Sequence, residues 1–297
     1  MRLPRTRERL LPRLRQAGSR VSKASQQGGD PVITRRDSAG SDVLRVTGVS
    51  LSFGGVRALD NVSFAVPSPR VVGLIGANGA GKSTLLNCIA GRFRPQAGRV
   101  EFYGKDILAI PKNRILAAGI TRTFQNLGLF KTMSVLDNLA MGLYDPAHGG
   151  MLAGSAWSYR ASHRDRATRT AAEQVADRLG LTGVLHRRVS ELPYGIQKRV
   201  ELGRAIASNP RLVLIDEPAT GLSRAEVGSL QGLLLDLASG LDMSLLVVDH
   251  NFSFVTGVAQ EIIFMDSGAI AATGTPAQIR ENQMIREQYL GRLAHHD

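Results

Sequence analysis

The 297-residue sequence predicts an α/β fold. Two segments carry that expectation. Val71-Val72-Gly73-Leu74-Ile75 is an apolar run of strand length that leads directly into Gly76-Ala77-Asn78-Gly79-Ala80-Gly81-Lys82-Ser83-Thr84. A second run, Leu212-Val213-Leu214-Ile215, ends in Asp216-Glu217-Pro218. The first loop matches G-x-x-x-x-G-K-[ST] between a strand and a helix, the context in which that spacing carries chemistry.

Residues 1–42 read as a basic, disordered extension. Residues 1–40 hold ten basic and three acidic side chains, so most of the formal charge of +12 lies there and only +5 remains for the body. Leu3, Leu10 and Leu14 share a helical face, but Pro4 and Pro12 leave a stretch too short for a stable isolated helix, which needs about 12–15 residues. No apolar core follows the basic residues, which argues against a secretory signal. Such a tail suits an anionic membrane surface, at about 1 kcal/mol per basic residue near it. The longest apolar candidate, from Leu233 to Val248, is broken by Asp236, Gly240 and Asp242, which excludes a membrane span there. One cysteine, Cys88, excludes an intramolecular disulfide framework. The scattered His148, His163 and His186 have no metal-ligand spacing.

From Val43 the pattern becomes that of a folded body. Val43–Val46 and Val62–Val66 have strand patterning. In the glycine-rich loop, glycines at 76, 79 and 81 let the chain wrap closely, so that backbone N–H groups, including those of Ala77, Asn78 and Ala80, can face phosphate oxygens. A helix from about Lys82 to Ala90 adds its positive end and stops at Gly91. Lys82 should reach the β- and γ-phosphates, Ser83 should ligate Mg²⁺, and Thr84 adds a phosphate hydrogen bond. At the second strand tip, Asp216 and Glu217 cannot both face the core, because side chains alternate along a strand. Asp216 is assigned to Mg²⁺ through water, and Glu217 to polarising the attacking water.

Further along, Ser134–Leu143 and Ala167–Leu179 have helical spacing, and Tyr144–His163, rich in Gly, Ala and Ser, reads as a loop with Trp157 as a packing residue. Ser223 three residues before Glu226, and Thr275-Pro276-Ala277-Gln278, read as capping boxes, with Leu222 and Val227 as a hydrophobic staple at the first.

In this order the motifs resemble the ATP-binding subunit of an ABC transporter, from about Val43 to Leu293. The resemblance implies a P-loop NTPase core with an antiparallel β subdomain and a helical subdomain inserted at about 128–208, within one nucleotide-binding domain over 43–297. Phe53, an unremarked core aromatic when read alone, then corresponds to the residue that stacks on adenine. Gln125, in Arg122-Thr123-Phe124-Gln125-Asn126, corresponds to the glutamine that contacts Mg²⁺ and water and senses the membrane subunit. His250, in Val247-Val248-Asp249-His250, corresponds to the histidine that touches the γ-phosphate. The signature, usually L-S-G-G-Q, reads Leu192-Pro193-Tyr194-Gly195-Ile196. Pro193 removes a hydroxyl and an N–H but suits the first turn of a helix. Tyr194, Gly195 and the next amides remain available to a phosphate, and the helix continues over Gln197–Ala207.

The resemblance implies ATP and Mg²⁺ as ligands. It implies a second ATP-binding subunit, whose signature covers this chain's nucleotide, with the loop Ala219-Thr220-Gly221-Leu222 at the pairing surface. Membrane permease subunits, and indirectly a solute-binding protein, complete the set of partners. Nucleic acid is not expected. The place implied is the cytoplasmic face of the membrane. Gly55-Val56-Arg57-Ala58-Leu59, the segment Arg122–Leu127, the Tyr-containing signature and Gly274–Ile279 followed by Gln288-Tyr289-Leu290-Gly291 look like the branched-chain amino acid uptake branch. Urea or amide import, lipid or lipopolysaccharide export, and a soluble non-transport ATPase of the same family stay open.

Overall fold

The computed structural model describes residues 42–110, 115–123, 128–143 and 157–287, with backbone only at 116, 117 and 157–165. The expectations placed on residues 1–41, on Gln125 and its neighbours, on 144–156 and on the C-terminal Gln288–Gly291 lie outside the described residues. Contacts divide the chain into units 1–37 and 38–297, and all described residues belong to the second.

Two sheets organise this unit. The smaller is antiparallel, with strand order β2-β1-β4-β5. β1 (Asp42–Phe53) and β2 (Val56–Pro67) form a hairpin around Gly54-Gly55, and β4 (Ala97–Phe102) pairs with the other edge of β1. Leu44 and Val46 are buried while Arg45 between them is exposed, the alternation of a sheet with one covered face. β5 (Lys105–Asp106) closes this sheet.

The larger sheet runs β10-β9-β3-β8-β7-β6. β3 (Val71–Gly76), β7 (Leu212–Asp216) and β8 (Ser244–Val248) are buried at every residue. Parallel strands covered on both faces need such continuous apolar runs. β6 (Ile120–Arg122), β7, β8, β3 and β9 (Glu261–Asp266) pair in parallel, and only β10 (Ala269–Gly274) is antiparallel. The register sets Leu74 and Asp216 on either side of Val248. The carboxyl ends of β3, β7 and β8 therefore lie side by side, where open α/β sheets bind ligands.

Between β6 and β7 the described residues include three helices of seven residues or more. α3 (Val135–Met141), α4 (Trp157–Arg178) and α5 (Tyr194–Ile206) share a core of Leu139, Ala172, Ala176, Leu179 and Val200. Asn138, fully buried, braces the entry to α3 by accepting from Phe130 N–H and donating to Phe130 C=O. Earlier in the chain α1 (Lys82–Ile89) follows β3 and α2 (Ile115–Ala118) precedes β6. α6 (Arg224–Leu241) begins with the capping box of Ser223 and Glu226, and a later helix at Pro276 with that of Thr275 and Gln278.

Two expectations are corrected. The backbone is already helical at Trp157, so 157–163 belong to a helix and not to the loop assigned to Tyr144–His163. No glycine or proline lies between Trp157 and Arg178 to interrupt the helix. α5 runs on through Gln197 as expected, but Pro193 is its N-cap, with φ −54° and ψ 149°, rather than a residue of its first turn.

Candidate active site

The glycine-rich loop joins β3 to α1. Gly81 is the N-cap of α1 at φ 96°, a conformation that L side chains rarely adopt, and a Cβ there would lie 2.5 Å from Ala58 O. Ala77, Asn78 and Gly79 form an exposed rim, Ala80 is buried behind them, and Ser83 and Thr84 start the helix with Ser83 exposed. Lys82 turns back over this rim. Its Nζ, buried, donates to Gly76 O at 2.7 Å and Ala77 O at 2.8 Å. An ammonium held among acceptors in this way is ready to exchange them for phosphate oxygens. Burial pushes the Lys82 pKa down, while Glu217, Asp216 and Asp249, all near enough to act on it, push it back up.

Those carboxylates come from the ends of β7 and β8. Asp216 is buried and accepts from Arg122 Nη2 at 2.8 Å, and its N–H donates to Thr123 Oγ1 at 3.1 Å. Glu217 lies just past β7 in a left-handed backbone at φ 46°, and its side chain is 22% exposed against 2% for Asp216. Its N–H donates to Val248 O at 2.7 Å, and its carbonyl accepts from Lys198 Nζ at 3.2 Å. Asp249 is fully buried and accepts from Ala219 N–H at 2.9 Å and Asn251 N–H at 2.8 Å. Burial raises its pKa against the pull of these hydrogen bonds. His250, half-exposed, places Nδ1 3.9 Å from Glu217 Oε1 and 3.6 Å from Asp249 Oδ1.

Among the described residues no three His, Cys, Asp or Glu side chains converge as a metal cage. Ser83 and Asp216 are hard oxygen donors, few in number, and this suits a Mg²⁺ that takes its remaining ligands from phosphate and water. The structure thus brings Lys82, Asp216, Glu217 and His250 together, and sets Ser83 and Thr84 on the first turn of α1.

Phe53 stands apart from the core. It is 47% exposed at the end of β1, edge-on to Phe93 with ring centres 5.4 Å apart. At the start of α5 the N–H groups of Ile196 and Gln197 both return to Pro193 O, at 3.0 and 3.1 Å. Tyr194 is exposed, with Lys198 Nζ 5.6 Å from its ring centre and Gly221 close beside it. A Cβ on Gly195 would lie 2.3 Å from Glu226 Oε1, so a side chain there collides with the residue that caps α6.

Sequence reasoning gave no role to Asp249, Lys198, Arg122 or Phe93. Asp249 was findable, since it follows an apolar strand as Asp216 does. Lys198 interrupts an apolar helix face four residues after Tyr194, one helical turn away. Arg122 and Phe93 carry no local signal, because only tertiary pairing reveals their partners.

A family model described as ABC transporter matches residues 59–220. The high-affinity branched-chain amino acid transport ATP-binding protein BraF of Pseudomonas aeruginosa is 35% identical over 252 residues, covering 84% of this chain and 98% of BraF. The corresponding protein LivG of Escherichia coli is 33% identical over 251 residues, with the same coverage. The crystal structure of the ADP conformation of an ATP-binding cassette of an ABC transporter superposes with a TM-score of 0.72 at 29% identity, covering 84% of this chain and 99% of that one.

Proposed function

The chain belongs to the ABC transporter family of ATP-binding subunits, and we propose that it is the ATP-hydrolysing motor of an importer for branched-chain or other hydrophobic amino acids. Subunits of this family work with membrane permeases, and among the described residues no helix is long and apolar enough to cross a membrane. The reading of the site rests on one observation above all: Lys82, Asp216, Glu217 and His250 gather at the strand ends beside the glycine-rich loop.

In this reading Phe53 stacks on adenine and the loop Gly76–Gly81 wraps the phosphates. Lys82 leaves the carbonyls of Gly76 and Ala77 for the β- and γ-phosphates. Mg²⁺, when bound between Ser83 and Asp216, supplies charge neutralisation at the phosphates. Glu217, held by its backbone from both sides, orients water for in-line attack on the γ-phosphorus, and His250 and Lys82 stabilise the charge that develops. Gln125 contributes from the segment after Thr123. A second ATP-binding subunit presents its own Tyr194 and Gly195 across the nucleotide, and the loop Ala219–Leu222 lies at that pairing surface.

Coupling to the permease would use a groove of about 490 Å³ between the end of β6 and α3 and α5, lined among others by Thr121, Phe130, Met141 and Arg204. Phe130 and Met141 are exposed apolar side chains at its rim. A short helix of a membrane subunit seated there would pull on the segment that follows Thr123. The substrate assignment is supported by the names of the relatives at 33–35% identity, against 27% for a lipopolysaccharide export subunit. Leucine uptake by cells lacking this chain tests it. Uptake should fall and be restored by the wild-type chain but not by Glu217→Gln. Normal leucine uptake in the deletion strain would reject the amino-acid assignment.

A further inference from the structure

Arg122 ends β6 and spreads its guanidinium between two elements of the site. Nη1 donates to Asn87 Oδ1 at 2.7 Å, and Nη2 to Asp216 Oδ2 at 2.8 Å. Asn87 lies on α1, the helix that begins with Lys82. The ion pair is nearly dry, with side-chain exposures of 13% and 2%. Nε of Arg122 is buried without a hydrogen-bond partner. The next residue, Thr123, accepts the N–H of Asp216. Consecutive residues at the end of β6 thus hold both the backbone and the carboxylate of Asp216. A planar fork is needed to reach α1 and β7 together, which a lysine ammonium cannot do.

A carboxylate this deeply buried needs a partner at all times, since an unpaired one is strongly destabilising. A metal that arrives only with nucleotide cannot fill that need in the nucleotide-free chain. We propose that Arg122 is the resident counter-cation of Asp216: a positioning residue that satisfies and orients the carboxylate in the empty site and, by repelling a second cation, keeps the metal out until nucleotide phosphates bring it in. The electrostatics favour this order. A fixed positive charge in contact with the buried carboxylate at the end of β7 raises the cost of a divalent ion nearby, and the phosphates of a nucleotide restore the balance. The proposal rests on the reading of Asp216 as the metal-facing carboxylate.

Mn²⁺, followed by electron paramagnetic resonance on the full-length chain, is the probe. Without nucleotide, Arg122→Met should bind Mn²⁺ about tenfold more tightly than wild type, or better. Arg122→Lys keeps the charge and should stay within about twofold of wild type. Adding Asp216→Asn to Arg122→Met should abolish the gain. The melting temperature of Arg122→Met should fall without metal and recover with Mn²⁺ more than that of wild type does. Should Arg122→Met not fold, Arg122→Gln takes its place. Unchanged or weaker Mn²⁺ binding in the neutral variants would overturn the counter-cation role. If Asp216→Asn alone leaves Mn²⁺ affinity of the ATP-bound chain unchanged, the metal-facing reading of Asp216 fails instead, and the two failures are told apart.

Discussion

Gly81→Ala is the substitution whose cost the structure defines best. Gly81 sits at φ 96°, outside the regions an L residue adopts comfortably, and forcing alanine there costs about 1–2 kcal/mol. The new Cβ would also lie 2.5 Å from Ala58 O and 3.1 Å from Leu59 Cδ2. The first of these is backbone of β2 and cannot swing aside. It is pinned by neighbouring hydrogen bonds, Asp60 N–H to Gly268 O at 2.8 Å and Gly268 N–H to Ala80 O at 3.1 Å. Overpacking of this kind costs about 1–3 kcal/mol. Together the two effects give about 2–5 kcal/mol. At about 2–4 °C per kcal/mol for a body of this size, the melting temperature should drop by roughly 4–20 °C. Circular dichroism melts measure it, and binding of a fluorescent ATP analogue should weaken in parallel because the loop must shift. Gly228→Ala is the control. Gly228 lies on the exposed face of α6 with nothing within 4 Å of its added Cβ, so alanine should raise stability by up to about 1 kcal/mol. A Gly81→Ala protein that melts within about 1 °C of wild type and binds the analogue equally well would refute the reasoning.

Two further outcomes follow from the electrostatics and the caps. Ser223→Ala removes the acceptor for Glu226 N–H and one partner of the Glu226 carboxylate, and should cost about 1 kcal/mol in urea unfolding; an unchanged midpoint would mean that the cap contributes nothing. Asp249 has its pKa raised above the ordinary 3.8 by burial, so the folded chain holds that proton more tightly than the unfolded one. Its contribution to stability is therefore fully present below pH 3.8 and is lost as pH rises through the folded value. Urea unfolding of wild type and Asp249→Asn across that range should show wild type losing ground as pH rises, and a pH-independent difference would contradict it.

The strands and the loop were legible because their causes are local. Val71–Ile75 and Leu212–Ile215 are apolar at every position, and a strand covered on both faces has no other composition available. The capping boxes at Ser223 and Thr275 were equally readable, since both partners lie within one turn. The start of α4 is hard to read because the small residues Ala153-Gly154-Ser155-Ala156 directly precede it and mask the change to helix-forming sequence. Phe53 reads as a core aromatic until the hairpin of β1 and β2 carries it to an exposed tip beside Phe93. Arg122, separated from Asp216 by 94 residues, and Lys198, by 19 from Glu217, meet their partners only after the sheet and α5 have packed. Composition and spacing place no constraint on such pairs. The +12 charge, which first suggests a polyanionic partner, resolves into a basic tail and a body in which buried Lys82 and Lys198 and half-buried Arg122 pair with groups at the ends of β3 and β7.

Steady-state ATP hydrolysis by the purified chain, wild type against Glu217→Gln, tests the central claim most directly. Wild type should turn over ATP with Mg²⁺. The variant keeps Lys82, the loop and Phe53, so it should bind ATP with affinity near that of wild type while losing about 10²–10⁴ in turnover, the usual contribution of a positioned base. Turnover unchanged in Glu217→Gln would remove Glu217 from the chemistry and contradict the account.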